Sequence, residues 1–471
     1  MVQYWNEEII RVTFIFDNGT KYVCESTSNK DDKVIVSCNK RQMEQINYNN
    51  IFGGINSNNF EVTVFDINNN LDMMNKQSPY YSYMRKGVKL VAEISYDDGV
   101  TFNNYGTFYV TEWVNSYYDG LQDVVTINSS DRLNYILNSD MPKLSMYSGT
   151  TISSLLTETL YKLGIDKNKI KIDKSLNYNL DYGVSDNEKV GYFLNDVCQA
   201  MCAVMIINDD NDVLVVPAIS GYGSEYNLDS KYIISKSSSN NVNNIYNKVK
   251  LRYYKNVGSG FGDILTVNEK LDREINSFHN LLFSDKALDI TEIKVDADDA
   301  SVLDNIDIID FSGYQNGIDI DINNKSGSDC DVTINVIGRY IKTSECYVYS
   351  DIEYTDNTQV ISYELTNEYV QTEADAQRLA NDIAKYIELM DTKIIIDTIY
   401  TPKLTCGDVL IFNDEDLGLV GRYKVIECYT SHGDEYTNQL TLISLKDTLW
   451  NDKLSWNDSK SWLENFALSQ S

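Results

Sequence analysis

The sequence predicts a mainly β fold with α+β additions, and three observations carry that prediction. In residues 107–115 large apolar and polar side chains alternate, with Phe108, Val110 and Val114 on one side, the two-residue period of a half-buried strand. Turn signals such as Asp17-Asn18-Gly19, Asp97-Asp98-Gly99 and Asp119-Gly120 recur, each ending in a glycine that tolerates the positive φ of a tight turn. Apolar residues at helical spacing are confined to three longer stretches, within 152–163, 190–201 and 376–390.

Taken in order, residues 12–16 and 22–25 are strands around Asp17-Asn18-Gly19, and 33–37 is a third. Gly53-Gly54 breaks the chain before the alternating strand 60–65, and a polar loop over 68–74 leads to a turn at Ser78-Pro79. Strand 88–96 follows, then the Asp97-Asp98-Gly99 turn, strand 107–115, the Asp119-Gly120 turn and the returning strand 124–128. Ser130-Asp131 caps a short helix carrying Leu133, Ile136 and Leu137. Many short strands with frequent turns read as an antiparallel sandwich or barrel, so residues 1–142 form one β-domain.

Residues 143–225 change character and read as a small α+β unit. Thr150-Thr151 opens a helix with Ile152, Leu155, Leu156, Leu160 and Leu163 on one face, closed by Gly164. Ser185-x-x-Glu188 is a capping box ahead of Val190, Phe193, Leu194, Val197 and Met201, and strands 202–207 and 213–217 form a hairpin. Its tip, Asn208-Asp209-Asp210-Asn211-Asp212, lacks the glycine and distal glutamate of a calcium loop and reads as a solvated turn.

Residues 226–448 read as a second β-rich domain with one packed helix. Strands 232–235 and 245–254 flank the Ser/Asn run 237–244, and Gly258-x-Gly260-x-Gly262 reads as a flexible hairpin loop, since no amphipathic helix follows to make it a phosphate cradle. Short strands at 318–322, 332–337 and 346–354 come next, with a solvated acidic cluster at Asp296, Asp298 and Asp299. Thr372-x-x-Asp375 caps a helix with Ala376, Leu379, Ala380, Ile383, Ile387 and Met390 inward. Strands 392–400, 409–412, 423–428 and 440–443 close the domain, with turns at Gly407-Asp408 and Gly433-Asp434. In 449–471, Trp450, Trp456 and Trp462 recur every six residues, an even multiple of the strand period that puts all three indoles on one side of an extended chain. Tryptophans anchor interfaces, so this tail is a candidate dock for a neighbouring protein, against the plainer reading of a segment folded back on its own domain.

Composition narrows the function. A 42% hydrophobic content is globular, and no apolar run approaches the roughly 18 residues of a membrane span. The acidic start MVQYWNEEII shows no signal-peptide pattern, which places synthesis in a cytoplasm. Seventy acidic against 40 basic residues give a net charge of −30, which opposes gripping nucleic acid through its phosphates. It remains compatible with a surface along which nucleic acid slides, as well as with plain solubility. The cysteines (Cys24, Cys38, Cys198, Cys202, Cys330, Cys346, Cys406, Cys428) are scattered with no CxxC pair, and only two histidines are available to complete a zinc site, so buried reduced thiols are expected. Cys198 and Cys202 share a helix face as core residues. No Gly-x-Ser-x-Gly elbow, phosphate loop or His-Glu-x-x-His occurs. His279, in a loop, and His432, at a hairpin turn, are the only imidazoles, and a carboxylate pair drawn from 70 acids carries no information. No catalytic residue, cofactor or metal site is expected.

The segment Gly106-Thr107-Phe108-Tyr109-Val110, followed by strand, turn, strand and Asp131-Arg132-Leu133, resembles the tail-hub (baseplate-hub) proteins of long-tailed bacteriophages and related contractile particles. The likeness extends through Phe52-Gly53-Gly54-Ile55, Asp66-Ile67-Asn68, Ser78-Pro79-Tyr80 and Arg85-Lys86-Gly87. It continues in the helix ending at Gly164, the hairpin to Val216-Pro217, the strand 244–254, and the helix 364–387 followed by Thr405-Cys406-Gly407-Asp408-Val409. Two departures stand out: the family often has Asn-Pro where this chain reads Asn367-Glu368, and residues 257–355 match no recognised part of it, which leaves their architecture open.

The resemblance implies two tube-type antiparallel β-barrel domains, 1–142 and 226–448, around the small α+β unit. It implies a homotrimer forming a pseudo-hexameric ring that joins the six-fold tail tube to a three-fold tip or spike and lets DNA pass without specific binding. Such a protein sits in the virion tail or baseplate, is assembled in the host cytoplasm, inserts in no membrane and acts by assembly. The competing reading is a receptor- or glycan-binding tail component, favoured by 35 tyrosines and five tryptophans, and a wall-degrading tail enzyme ranks behind it.

Overall fold

The computed structural model describes residues 8–26, 33–44, 54–66, 68–118, 122–144, 147–183, 189–240, 246–258, 260–273, 275–284, 286–297, 300–314, 316–352, 361–390, 392–399, 404–414, 418–432 and 437–445. Strands dominate, as the alternating pattern predicts, and the longer helices share one apolar core. Seven strands close on themselves. Around the ring their order is Lys33–Met43, Lys21–Glu25, Ile9–Ile15, Lys89–Ser95, Asn103–Tyr118, Gln122–Ser130, Asn59–Asp66, and back to Lys33–Met43. Every pairing is antiparallel except Lys21–Glu25 with Lys33–Met43, which touch in parallel at Glu25 and Val34 alone. Val12, Phe14, Tyr22, Phe60, Val62, Phe108 and Ile127 fill the interior. Gly19, at φ +81°, makes the first hairpin possible, and its N–H donates to the Phe16 carbonyl at 2.8 Å.

A second set runs in the order Ile233–Asn240, Thr392–Ile399, Thr437–Leu445, Leu419–His432, Val409–Asp414, Glu225–Asn227. Its two outermost strands are consecutive in the chain, so the sheet curls until its edges lie within reach of the short connection 228–232. Ile396, Leu410, Phe412, Val425, Leu440 and Leu442 lie inside the curl. The two sets are one continuous sheet, because Leu419–His432 pairs antiparallel with Lys33–Met43, from Glu427 opposite Met43 to His432 opposite Cys38.

Helices Ile152–Lys162, Val190–Met201 and Glu373–Met390 share one apolar core with the Ala203–Ile207 and Val213–Pro217 hairpin and the strand Lys248–Gly258. The caps explain where they begin. Thr151 accepts from the Ser154 N–H, Thr372 accepts from the Asp375 N–H, and Asp131 accepts from the Leu133 N–H at the head of Arg132–Leu137. Val190–Met201 starts with Lys189 as N-cap and no side-chain cap bond, downstream of the expected capping box; Ser185 and Glu188 lie outside the described residues.

Residues 257–355 depart most from expectation. In place of several short strands, Cys330–Asp351 is a single strand of 22 residues. Its second half pairs with Lys248–Gly258 and its first half with Gly262–Leu271, both antiparallel, so these two strands continue each other along one partner. The Gly258–Gly262 segment is therefore a joint in a continuous ribbon and not a hairpin loop. Gly258 lies opposite Ile341 and Gly262 opposite Gly338, so everything between is an insertion on two adjacent strands. It forms a small sandwich: Gly262–Leu271, Cys330–Asp351 and Ala287–Ala297 face Asn276–Leu282, Gly317–Asn324 and Ile306–Tyr314 across Leu271, Ile318, Ile320, Ile322, Ile334 and Val336. His279 lies in strand Asn276–Leu282, not in a loop.

Smaller corrections have local causes. Trp113, 6% exposed, takes the inward place expected for Val114, which is 37% exposed. The register slips between Val110 and Glu112, and one extra residue in a strand flips every later side chain to the other face. Gly54 does not break the chain but forms the two-residue strand Gly54–Ile55, parallel to Ala203–Ile207. Strand Ile233–Asn240 takes in the first half of the Ser/Asn run, since a sheet edge accepts small polar residues. The turns at Asp119-Gly120 and Gly433-Asp434, the acids Asp298 and Asp299, and the tryptophans Trp450, Trp456 and Trp462 lie outside the described residues. Among the described residues no helix is long and apolar enough to cross a membrane.

Candidate assembly site

Polar chemistry concentrates where the closed ring, the curled sheet and the helical unit meet. Strand Lys33–Met43 delivers Lys40 and, one residue past its end, Glu44; strand Leu419–His432 delivers Lys424 and His432; the helical unit supplies its hairpin tip and the 218–224 segment. Across the seam itself, Arg41 pairs with Glu427 at 2.6 Å.

Lys424 and Glu44 form an ion pair at 2.9 Å with neither side chain exposed at all. The Lys424 ammonium also donates to the Ala218 carbonyl at 2.9 Å and lies over the Tyr222 ring. Burial pushes the Glu44 carboxyl up, and Lys424 opposes that shift. One buried contact thus ties the ring (Glu44), the curled sheet (Lys424) and the helical unit (Ala218, Tyr222).

The hairpin tip is only partly solvated: Asp210 is exposed, but Asp209 and Asp212 are engaged by lysines. Asp209 pairs with the buried Lys40, whose ammonium also donates to the Tyr105 carbonyl at 2.8 Å and sits 4.1 Å from the Tyr105 ring centre. The Asn104 amide donates to the Asp209 carbonyl. Asp212 is held by Lys169 at 2.9 Å and by Lys171, and hydrogen bonds from those lysines keep its carboxyl low. Beside the tip lies a cavity of 340 Å³ lined by Lys40, Tyr105, Asp209, Thr405, Cys428 and Thr430 among others.

Two buried carboxylates clamp backbone. Asp408 accepts from the N–H groups of Ser224 and Thr405, fastening the 221–224 segment to the start of Val409–Asp414. Gly223 fits here because a side chain would strike the Asp408 carboxylate. Asp131 accepts from Asn58 and Leu133 N–H, fixing the first helix to the ring. Burial raises Asp408 to about 6 and Asp131 to about 7.

The groups here are poised for holding. His432, with its Nε2 3.3 Å from the Tyr105 hydroxyl, is brought down to about 4 by burial and then by Lys40, so it is neutral at ordinary pH. Burial pushes the Cys428 thiol up to about 11 and raises Cys38 as well. All eight cysteines are free, six of them buried, including Cys198 and Cys202. Among the described residues no His/Cys/Asp/Glu group is arranged for a metal ion.

Asp131, Asp408, His432 and the cysteines were visible in the sequence as a cap, a turn, an imidazole and scattered thiols, and the acidic tip as a solvated turn, but nothing linked them to Lys40, Glu44 or Lys424. Lys424 carried a signal, a lysine inside the apolar run Tyr423-Lys424-Val425-Ile426, but nothing marked Glu44 as its partner among 70 acids.

No family model matches the chain, and no curated protein matches it either. Solved structures do. The 43 kDa tail protein of prophage MuSo2 from Shewanella oneidensis superposes with a TM-score of 0.54 at 10% identity, covering 93% of this chain and 99% of that one. A tail protein from Neisseria meningitidis MC58 gives 0.49 at 9% identity over 92% and 96%, and prophage tail protein gp18 from Listeria monocytogenes EGD-e gives 0.45 at 11% over 98% of each chain. The chain has the fold of the first of these tail proteins along nearly its whole length, which is consistent with the tail-hub resemblance.

Two outcomes are expected. Lys424→Met strands a buried carboxylate and lowers stability by about 3–5 kcal/mol in urea unfolding, whereas Lys424→Met with Glu44→Leu regains most of the loss. Because Asp131 is raised from 3.8 to about 7, the folded chain keeps a proton there that the unfolded chain has lost. Its contribution is full below pH 3.8 and is lost as pH rises through about 7, so Asp131→Asn lessens the decline in stability across that window in pH-dependent urea titrations.

Proposed function

We propose that this chain is a structural hub of a phage-type tail, forming a trimeric ring between tail tube and tail tip through which DNA passes. The observation that carries this reading is the breadth of the likeness: 93% of the chain follows a prophage tail protein, across the closed ring, the helical unit and the curled sheet together. A single shared module would say much less.

On this reading residues 1–142 and 226–448 act as two similar tube domains around the α+β unit 143–225, so three copies present six roughly equivalent positions to a six-fold tube. Ring closure asks for a head-to-tail contact whose rotation closes after three copies. The net charge of −30 suits a channel that repels phosphates and releases no counterions, so DNA slides without being held. The tail 449–471, with Trp450, Trp456 and Trp462, is the proposed dock for a neighbouring tip, spike or baseplate protein. The buried side chains of Lys40, Lys424 and His432 each contact another part of the chain, a use of polar chemistry that suits assembly. The place of action is the virion tail, after assembly in the host cytoplasm.

Light scattering on the purified protein at several concentrations is expected to give a mass near three times 53.8 kDa, alone or on adding a tail-tube partner. A monomer at every concentration that ignores tail proteins and binds host cell wall would replace the hub with a receptor- or glycan-binding component. Deleting 449–471 is expected to leave the trimer intact and to weaken capture of the neighbouring tail protein; unchanged capture would remove the docking role from the tryptophans.

A further inference from the structure

The inserted sandwich turns one sheet face outward, that of Asn276–Leu282, Gly317–Asn324 and Ile306–Tyr314. Ile318, Ile320 and Ile322 point into the core, so the residues between them point out, and register fixes their neighbours. One row across the three strands is Phe278, Asp321, Asp310; the next rows are Asn276, Asn323, Asp307 and Asn280, Asp319, Ser312.

Two independent features mark this face. Phe278 and Leu282, which share it on the edge strand, are 63% and 66% exposed. Exposed large apolar side chains set among polar ones characterise an interaction surface. The second feature is a mismatch of charge. Asp307 is paired with Lys325, and Asp319 with Lys143, which reaches over from the helical unit. The middle row alone has no cation: Asp310 and Asp321 stand directly opposite each other, and neither has an ion-pair partner among the described residues. Like charges directly across a sheet cost stability, so the free protein carries an unfavourable pair between two places where its own lysines have resolved the same problem.

We propose that this face docks a protein surface bearing lysine or arginine, whose cation enters the Asp310–Asp321 row while apolar side chains cover Phe278 and Leu282. The occupant's chemistry follows from complementarity: Lys143 and Lys325 show what satisfies the flanking carboxylates, and the middle row calls for the same group from outside. The assignment rests on the assembly reading for the existence of a protein partner, and it names that partner's chemistry.

The probe is a synthetic peptide of alternating lysine and leucine, titrated into the full-length protein at low and at physiological salt and followed by fluorescence anisotropy. Asp310→Asn with Asp321→Asn, and separately Phe278→Ser with Leu282→Ser, are expected to weaken binding about three- to tenfold. A control, Asp181→Asn with Glu364→Gln, removes the same charge from exposed positions elsewhere and is expected to leave affinity unchanged. Equal weakening by the control, or none by the serine pair, would mean diffuse attraction to an acidic protein and would overturn the proposal. The asparagine pair is also expected to raise the thermal midpoint by about 1–2 °C by relieving the opposed carboxylates; a fall would assign them to folding and overturn it as well. A lower mass in solution for the serine pair would give the face to a second copy and reject the basic partner. Peptide binding through this face by a protein that never joins a tail would sink the hub and leave the surface standing; a trimer whose peptide binding ignores these residues would do the reverse.

Discussion

A lysine and a glutamate with no access to water decide how this molecule is put together. Bringing Lys424 and Glu44 out of solvent carries a large desolvation cost, and their attraction offsets it only if both arrive in place together. Glu44 belongs to the end of a ring strand, Lys424 to a strand of the curled sheet, and the ammonium is completed by a carbonyl of the helical unit. Each of the three parts thus leaves an unsatisfied charge or a bare core in the others if it is missing. Apolar packing at this seam would hold as tightly but would tolerate sliding; a buried pair defines one register.

The parts of the fold that were legible in the sequence are those governed by local chemistry. Alternation at Phe60–Phe65 and Phe108–Val110, the glycine at position 19, and the Thr151, Asp131 and Thr372 caps act within a few residues, and the structure uses each as read. Reading failed where a distant partner rewrote a local pattern. The bulge after Val110 shows only against the neighbouring strand, where Val110 stands opposite Ser129 and Glu112 opposite Asn128, and no pattern in 107–115 announces it. The glycines at 258 and 262 look flexible until the 22-residue strand beside them is seen to run straight past. The strands at 318–322 and 332–337 were legible, but not that they belong to two sheets facing each other across one core.

The candidate site was less legible still, because buried charges look like surface charges in a chain with so many of them. Asp209 and Asp212 were visible as an acidic turn, yet their lysines come from positions 40, 169 and 171, brought there by the fold alone. Composition speaks here only through its few imidazoles and scattered thiols. The structure adds that burial moves His432 and Cys428 further from neutral titration.

The pairing of Lys33–Met43 with Leu419–His432 joins residues such as Arg41 and Glu427 that stand 386 positions apart. During synthesis the first of these strands leaves the ribosome long before the second exists, and it waits with one edge only partly covered. The ring can close locally through the short contact at Glu25 and Val34, but that edge finds its other neighbour only once residues 427–432 have been made. A chain interrupted before residue 419 keeps an open strand edge, a surface that invites pairing with other chains and recognition by chaperones. Strand Leu419–His432 therefore does two things at once: it joins the curled sheet to the ring, and it covers the edge that an unfinished chain would leave open.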